Sequence, residues 1–302
     1  MVTSRSSGLA LTLIAAAIMI GVELADAIDE SLFVSVAAQT PGNCALPNYP
    51  DESCTGVRPG TSLTVVSGDM TVSTANAIVE NKQVRCITVT APGVIIRNVK
   101  VTGPCIIGIR YENSTGDRLT IQDTDISCGE QFTGISSSNF TAIRVNIHDC
   151  ENGLSIGKNV TLQDSYIHDL NNEGDNHADG IQMTDGSTGV VIQHNRIYAN
   201  DGTSAIISPS NSTLGTIIRD NLFAGGGWTI YCRQNGPGGQ QLINNHFSNL
   251  FYPKVGVAGP WTECNDEALL TGNVYHETGQ LLPGQTASVP PPAPPTAVRV
   301  IQ

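Results

Sequence analysis

Charged side chains are scarce in this sequence. Asp, Glu, Lys and Arg make up 14% of its 302 residues, well below the roughly 25% usual for soluble domains. Thr, Ser, Asn and Gly supply the polarity instead, and these residues favour strands and turns over helices. With 40% hydrophobic residues available for a core, the composition predicts a β-rich protein.

Basic residues are the scarcer of the two charge types. The chain has 15 Lys and Arg against 27 Asp and Glu, which gives a net charge of −12. This balance argues against nucleic acid as a partner, because phosphate binding requires a basic face. It also disfavours a polyanionic glycan, unless a cation or a local basic patch intervenes.

Two further features are missing, namely a CxxC pair and a long apolar run. Without CxxC the eight cysteines do not suggest a zinc site. The apolar run from Gly8 to Val22 is too short to span a membrane, but Arg5 precedes it and an A-x-A-like site, Ala25-Asp26-Ala27, follows. We therefore predict that 1–27 is a signal peptide and that the protein is secreted or held at the cell surface, as a monomer without a stable membrane partner after cleavage. Export would allow the cysteines to form disulfides.

A repeat begins near Thr61. Each unit has an apolar residue, a polar residue and then a central Asn or Asp, and we take these central residues as marks: Asn98, Asp123, Asp164, Asn195, Asp220 and Asn244. Successive gaps are 25, 41, 31, 25 and 24 residues, and the gap of 41 contains one more unit around Arg144. A period in the twenties with short β-rich units predicts a solenoid.

A second set of short strands follows the same period, and its members are Gly108-Ile109-Arg110, Gly134-Ile135-Ser136, Gly153-Leu154-Ser155, Gly180-Ile181-Gln182, Ala205-Ile206-Ile207 and Thr229-Ile230-Tyr231. Because side chains alternate along a strand, we expect the middle residue of each to point inward and the third outward. The pattern resembles the right-handed parallel β-helix superfamily, the pectate-lyase-like fold, over about residues 61–280.

The resemblance implies an all-β fold built as a single right-handed parallel β-helix, a solenoid with protruding loops. We assign this domain to 61–284, after an irregular cap at 28–60. The segment 285–302 begins as a Pro-rich linker and ends like the first strand of a further module.

The cysteines fit neighbouring turns of such a stack. Strands of adjacent turns lie ~4.8 Å apart, which is within the Cα separation that a disulfide requires. We predict four pairs: Cys44–Cys54, Cys86–Cys105, Cys128–Cys150 and Cys232–Cys264.

The densest ionisable stretch is 171–180, which contains Glu173, Asp175, His177 and Asp179. It lies in the longest single repeat, the gap of 31 residues, so the extra residues must protrude. In solenoids such protrusions often gather on the binding face. We therefore predict a candidate site where this loop meets the outward column of the second strand set.

That column and its surroundings supply polar, cationic and aromatic groups suited to a polysaccharide. The column is Arg110, Ser136, Ser155, Gln182, Ile207 and Tyr231, with Arg233 one step further, Trp228 at the entry of its strand and Lys254 in the next repeat. We predict that Arg110, Gln182, Trp228 and Tyr231 bind substrate.

Pectate-lyase-like enzymes cleave uronate glycans by β-elimination, with a Lys or Arg base and often Ca²⁺. The resemblance implies Lys254 or Arg233 as the base, while His177 is an alternative because its pKa lies nearer neutrality. Asp179 would orient His177 or join Glu173 and Asp175 in a Ca²⁺ site, since carboxylates are hard oxygen ligands.

Two alternatives stay open. In a hydrolase two carboxyls act as acid and base, and Asp179-Gly180 resembles part of the polygalacturonase motif Asn-Thr-Asp-Gly, with Asp201 as the second acid. However, His177-Ala178 replaces Asn-Thr and the basic tripeptide of that family is absent. The other alternative is a glycan-binding or surface-adhesion module without activity.

The remaining histidines, His148, His168, His194, His246 and His276, follow the strand ends and are interpreted as stacked turn residues.

Overall fold

The protein consists of strands and turns, and no helix occurs among the residues that the structure describes. The computed structural model describes 44–113, 115–129, 133–174, 176–208, 215–232, 239–264 and 268–285. Within these ranges no helix is long and apolar enough to cross a membrane. The strands, in chain order, are β1 (Thr64–Val65), β2 (Met70–Val72), β3 (Ile78–Val84), β4 (Ile87–Val89), β5 (Ile95–Val101), β6 (Ile107–Tyr111), β7 (Leu119–Gln122), β8 (Asp125–Ser127), β9 (Thr133–Ser137), β10 (Phe140–Ile143), β11 (Asn146–His148), β12 (Asn152–Ile156), β13 (Val160–Gln163), β14 (Tyr166–Ile167), β15 (Asp179–Met183), β16 (Val191–Gln193), β17 (Arg196–Asn200), β18 (Ser204–Ile207), β19 (Ile217–Arg219), β20 (Leu222–Gly225), β21 (Trp228–Tyr231), β22 (Gln241–Ile243), β23 (His246–Ser248), β24 (Gly259–Thr262), β25 (Leu269–Thr271) and β26 (Val274–Tyr275).

These strands form two large sheets in which the paired strands are parallel. The nine-stranded sheet has the order β2-β4-β6-β9-β12-β15-β18-β21-β24. The 17-stranded sheet contains two series, β7-β10-β13-β16-β19-β22-β25 and β8-β11-β14-β17-β20-β23-β26, and the long strand β5 pairs with the first member of each. Each repeat from β7 to β24 thus adds one strand to each series and one to the nine-stranded sheet, and β25 and β26 extend the two series once more. The all-β prediction is confirmed, and the arrangement is compatible with a parallel β-helix.

The turn between the two series is made by a residue in the left-handed conformation. Asn98, Asp123, Asp164, Asp220 and Asn244 have φ between 49° and 56°, where Asn and Asp are tolerated better than most residues. The mark at Asn195 was wrong by one position, because His194 has φ 51° and makes the turn in that repeat.

Asn195 has a different role in a ladder of buried amides. The ladder consists of Asn195, Asn221, Asn245 and Asn273, all with no exposed surface. Each of the first three donates its side-chain N–H to the side-chain oxygen of the next, at 2.9 Å in every step, and each also donates to a backbone carbonyl of the preceding repeat. These contacts satisfy buried backbone groups.

The core fills the space enclosed by the inward residues of the strands. The predicted inward positions of the nine-stranded sheet, Ile109, Ile135, Leu154, Ile181, Ile206 and Ile230, are at most 1% exposed. They join one continuous cluster with Phe140, Phe223 and Phe247. Burial of this apolar column holds consecutive repeats in register, because a slip by one residue would turn it outward.

All four predicted disulfides are present: Cys44–Cys54, Cys86–Cys105, Cys128–Cys150 and Cys232–Cys264. The last three join neighbouring repeats, with Cα separations of 6.1, 4.8 and 4.8 Å. Four such bonds indicate an oxidising, extracellular environment.

Residues 44–58, here called the N-terminal strap, run across several repeats of the 17-stranded sheet. At one end Arg58 forms an ion pair with Asp123 at 2.6 Å, and Gly56 donates its N–H to the Arg144 carbonyl at 2.9 Å. At the other end the Asn48 carbonyl accepts a hydrogen bond from His194 at 3.1 Å. The strap therefore braces the sheet along the direction in which the repeats stack.

Candidate functional site

The candidate loop connects β14 to β15 and is shaped by its own Asn side chains. Asn171 Oδ1 accepts the Glu173 N–H at 3.0 Å, an Asx-type turn, and Asn176 donates its side-chain amide to the Asn171 carbonyl at 3.2 Å. Asn172 reaches the next repeat, where it donates to the Asp201 carbonyl at 2.9 Å. The loop is thus tied both to itself and to the neighbouring turn of chain.

At the end of this loop His177 and Asp179 form a directed pair. His177 Nδ1 lies 2.9 Å from Asp179 Oδ2. The Asp179 side chain has no exposed surface, whereas 55% of the His177 side chain is exposed. An ionised carboxylate only accepts hydrogen bonds, so opposite an ionised Asp179 the proton is on Nδ1, and a neutral ring has its lone pair on Nε2. The structure thus presents an imidazole of fixed orientation at the surface.

Two residues on adjacent strands hold Asp179 in place. Asn152 in β12 and Ser204 in β18 are in register with Asp179 on either side. Ser204 Oγ donates to Asp179 Oδ1 at 2.5 Å, and Asn152 Oδ1 accepts the Asp179 N–H at 3.1 Å. Sequence analysis missed both residues, although a signal existed: each lies two positions before an inward apolar residue, as Asp179 does before Ile181.

Gly180 allows the strand that begins at Asp179 to lie close to its neighbours. A Cβ at this position would be 2.5 Å from Ile197 Cγ2 and 2.6 Å from the Ala205 carbonyl oxygen. Any side chain here would push β15 outward and displace Asp179 from Ser204. The glycine is therefore required for the geometry of the pair.

The predicted outward column exists as one continuous strip on the nine-stranded sheet. Consecutive pairings join all six predicted members, Arg110, Ser136, Ser155, Gln182, Ile207 and Tyr231. Arg110 is exposed, Gln182 and Tyr231 are half-buried, and Ile207 is buried. Gln182 lies in the same strand as Asp179, so the strip passes directly beside the His177 pair.

The other predicted site residues lie further along the stack or outside the described residues. Trp228 begins β21, and its ring covers Gly259, where a Cβ would lie 2.5 Å from Trp228 Cζ3. Lys254 is exposed between β23 and β24, in a segment whose Val257 N–H bonds to the Gly226 carbonyl at 2.9 Å. Arg233 and Asp175 lie outside the described residues.

A cleft of about 420 Å³ opens beside the loop, on the side of the 17-stranded sheet. Its lining residues are Gly129, Asp149, Asp169, Leu170, Asn171, Asn172, Glu173 and Asp201. Four of these eight are acidic and none is basic. Glu173 and Asp201 face this cleft, whereas Asp179 is buried behind the loop. The cleft is therefore an unfavourable surface for a polyanion.

The described members of the predicted Ca²⁺ set do not fit such a site. Ca²⁺ takes six to eight oxygen ligands, but both Asp179 oxygens already accept protein hydrogen bonds, and Glu173 is exposed. Among the described residues, one group of three candidate ligands has its atoms within 4.8 Å of one another, Cys44, Asp51 and Cys54, and its cysteines form a disulfide.

The other histidines differ from His177 in their surroundings. His194 Nδ1 lies 2.5 Å from Asp164 Oδ1 and Nε2 lies 3.1 Å from the Asn48 carbonyl. Burial lowers the pKa of His194, but the hydrogen bonds to Asp164 and Asn48 outweigh it, so the net pKa is raised. Both ring nitrogens face acceptors, and His194 serves to hold the strap.

His148 is also enclosed by acceptors, with Nδ1 2.7 Å from Asp149 Oδ2 and Nε2 3.6 Å from Asp125 Oδ2. Burial lowers the pKa of His148, while these carboxylates raise it to a net value above the ordinary one. His246 and His276 bring their Nδ1 atoms within 3.1 Å of each other, so one donates to the other. These contacts are structural.

No family model, no curated protein and no solved structure matches this chain. The function therefore has to be inferred from the geometry around His177.

Proposed function

We propose that this chain is an exported right-handed parallel β-helix protein of the pectate-lyase-like type, and that it is a polysaccharide lyase. It would cleave a uronate-containing glycan by β-elimination, with His177 as the base. The observation that carries the proposal is the exposed His177 imidazole, whose Nδ1 is held by the fully buried Asp179 at 2.9 Å.

This arrangement suits proton abstraction near neutral pH. Of all side chains, histidine has the ordinary pKa closest to neutrality, and a carboxylate on Nδ1 fixes the tautomer in which Nε2 accepts a proton. In the proposed reaction, Nε2 removes the proton from the carbon next to the uronate carboxyl group. The electron pair forms a carbon–carbon double bond, the bond from the β-carbon to the glycosidic oxygen breaks, and that oxygen takes up a proton from water. His177 then releases the proton it removed to solvent.

Abstraction of this proton places negative charge on the uronate carboxyl group, so a cation must lie nearby. Lys254 is the candidate that the sequence offers. It is exposed in the segment before β24, and β24 lies three strands from β15 in the nine-stranded sheet, so its reach to the uronate is part of the proposal. No step is assigned to Ca²⁺, because the described ligands do not fit it.

The path of the glycan follows from charge. The acidic cleft would repel a polyuronate, whereas the strip from Arg110 to Tyr231 offers a cation, a carboxamide and an aromatic ring. We place the sugar chain along this strip, with Gln182 beside the reacting residue. Trp228 lies in the same strand as Tyr231.

The hydrolase alternative is less well supported by this geometry. A catalytic carboxyl must reach the glycosidic oxygen, a water molecule or the anomeric carbon. Asp179 has no exposed surface and accepts hydrogen bonds from His177 and Ser204. Only Asp201 of the two proposed acids is exposed.

A panel of polyuronates and neutral glycans tests the proposal. A lyase produces an ultraviolet absorbance increase from the unsaturated uronate, and we expect this increase on at least one polyuronate, with and without chelator. New reducing ends without the absorbance increase would identify a hydrolase and contradict the proposal.

A glycan-binding module is the second candidate, and the continuity of the outward strip favours it. Six residues, one from each of six neighbouring strands, line up on a regular parallel sheet, and their exposed members form a surface that can hold an extended chain without reacting with it. Retention of the protein by an immobilised glycan, equal for wild type and His177→Ala and without any product, would establish this function instead.

A further inference from the structure

We infer that Ser204 is a positioning residue for His177: its hydroxyl fixes the Asp179 carboxylate so that the second oxygen faces His177 Nδ1. The inference rests on the proposed function insofar as it concerns catalysis. The geometry behind it is independent of any substrate.

The contact between Ser204 and Asp179 is short and fully enclosed. Ser204 Oγ lies 2.5 Å from Asp179 Oδ1, and neither residue has exposed surface. Hydrogen bonds to a charged acceptor are shorter and stronger than neutral ones, and water does not compete in this enclosed position. The hydroxyl therefore restrains the carboxylate firmly.

A restraint on Asp179 is needed because the terminal torsion of an aspartate is broad. Without a donor on Oδ1 the carboxylate plane can turn away from the imidazole. With Oδ1 held by Ser204, Oδ2 is directed at His177 Nδ1, where it lies at 2.9 Å.

The backbone keeps Ser204 and Asp179 together. Asp179 pairs in register with Ser204, and the Ala178 carbonyl accepts the N–H of Thr203 at 2.7 Å and that of Ser204 at 3.4 Å. Ser204 belongs to a different repeat from the loop, so it positions the base from outside the loop.

The test is the tautomer of neutral His177, read from its ring ¹⁵N chemical shifts in the intact protein. In the wild type we expect the Nδ1–H tautomer, since the hydrogen bond on one ring nitrogen decides which nitrogen is protonated. In Ser204→Ala we expect a clear shift of population toward the Nε2–H tautomer. Ser204→Cys keeps a weak donor of similar size, and we expect an intermediate result. Ser187→Ala is the matched control, because it removes an equally buried hydroxyl that donates to the Thr184 carbonyl and not to Asp179, and it should leave the tautomer unchanged.

Steady-state kinetics on a glycan that the protein cleaves distinguish the positioning role of Ser204 from the proposed lyase function. We expect Ser204→Ala to lower kcat about tenfold or more with little change in KM, since a misdirected general base loses part of its 10²–10⁴-fold contribution. An unchanged tautomer in Ser204→Ala, in protein shown by thermal unfolding to be folded, would overturn the positioning role. A shifted tautomer in a protein that turns over no glycan would retain that role and overturn only the proposed function.

Discussion

Two Asp–His pairs in this protein make the same contact in different surroundings. His177 and His194 each place Nδ1 against a carboxylate, at 2.9 and 2.5 Å. For His177 the carboxylate is buried and the ring is half exposed, whereas His194 is mostly buried and its Nε2 bonds to the strap carbonyl of Asn48. An Asp–His pair can therefore act as a base only where the second ring nitrogen remains accessible, and the sequence spacing alone does not show this.

The largest expected effect is on kcat, and it comes from disrupting the His177–Asp179 pair. His177→Ala should lower kcat by about 10²–10⁴-fold, the usual contribution of a general base. It should also lower the free energy of unfolding, because the buried Asp179 carboxylate loses the donor on Oδ2, so kcat is compared per folded molecule. Asp179→Asn keeps the side-chain volume but offers an amide to Nδ1, so we expect a similar loss of kcat. Steady-state kinetics on a glycan that the wild type cleaves checks both variants. Wild-type turnover in either variant would show that the His177–Asp179 pair is no more catalytic than the His194–Asp164 pair.

Disruption of the His194–Asp164 pair should lower stability and leave activity unchanged. His194→Ala removes the donor from Asp164 Oδ1 and from the Asn48 carbonyl, which we expect to lower the free energy of unfolding by about 1–3 kcal/mol. Denaturant unfolding measures this change. The kcat of the folded fraction should equal that of the wild type, and a loss of kcat in correctly folded protein would contradict the structural role.

The pH dependence of stability sharpens the comparison further. The pKa of His194 is raised by its hydrogen bonds to Asp164 and Asn48 in spite of burial. Its stabilising contribution is therefore fully present below the unfolded value of about 6.5 and is lost as the pH rises through the folded value. Unfolding measured between pH 5 and 9 should show this loss in the wild type, and His194→Gln should reduce it.

His246 should make the smallest contribution to the pH dependence of stability, and its sign should be opposite to that of His194. Burial lowers the pKa of His246, and neighbouring His276 lowers it further while Glu277 opposes this. Stability from this group should therefore fall as the pH drops through 6.5 toward the folded value, because the unfolded chain binds the proton first. His246→Gln should weaken the acid-side loss of stability without altering the alkaline side; an equal acid-side loss in variant and wild type would assign it to other groups.

The sequence carries enough information for the repeats but not for the strap. Alternation along the second strand set predicted both the inward residues and the outward strip, and the spacing of neighbouring repeats predicted the three disulfides within the stack. These features arise from local periodicity. The contact between Asn48 and His194 spans 146 residues, and no local pattern marks it.

The candidate site was predictable in part for the same reason. The loop at 171–180 showed itself as extra length in one repeat, and Asp179 was a candidate for orienting His177. The sequence did not show that Asp179 is completely buried, which decides between a catalytic carboxyl, a metal ligand and an orienting group. Ser204 lies 25 residues away and can be recognised only when its repeat is aligned with that of Asp179.

The most direct test of the account is the ultraviolet absorbance increase on polyuronates, measured side by side for wild type, His177→Ala and His194→Ala at equal folded concentration. We expect the increase for wild type and His194→Ala and its loss in His177→Ala. An equal increase in His177→Ala, or a loss confined to His194→Ala, would contradict the assignment of His177 as the base.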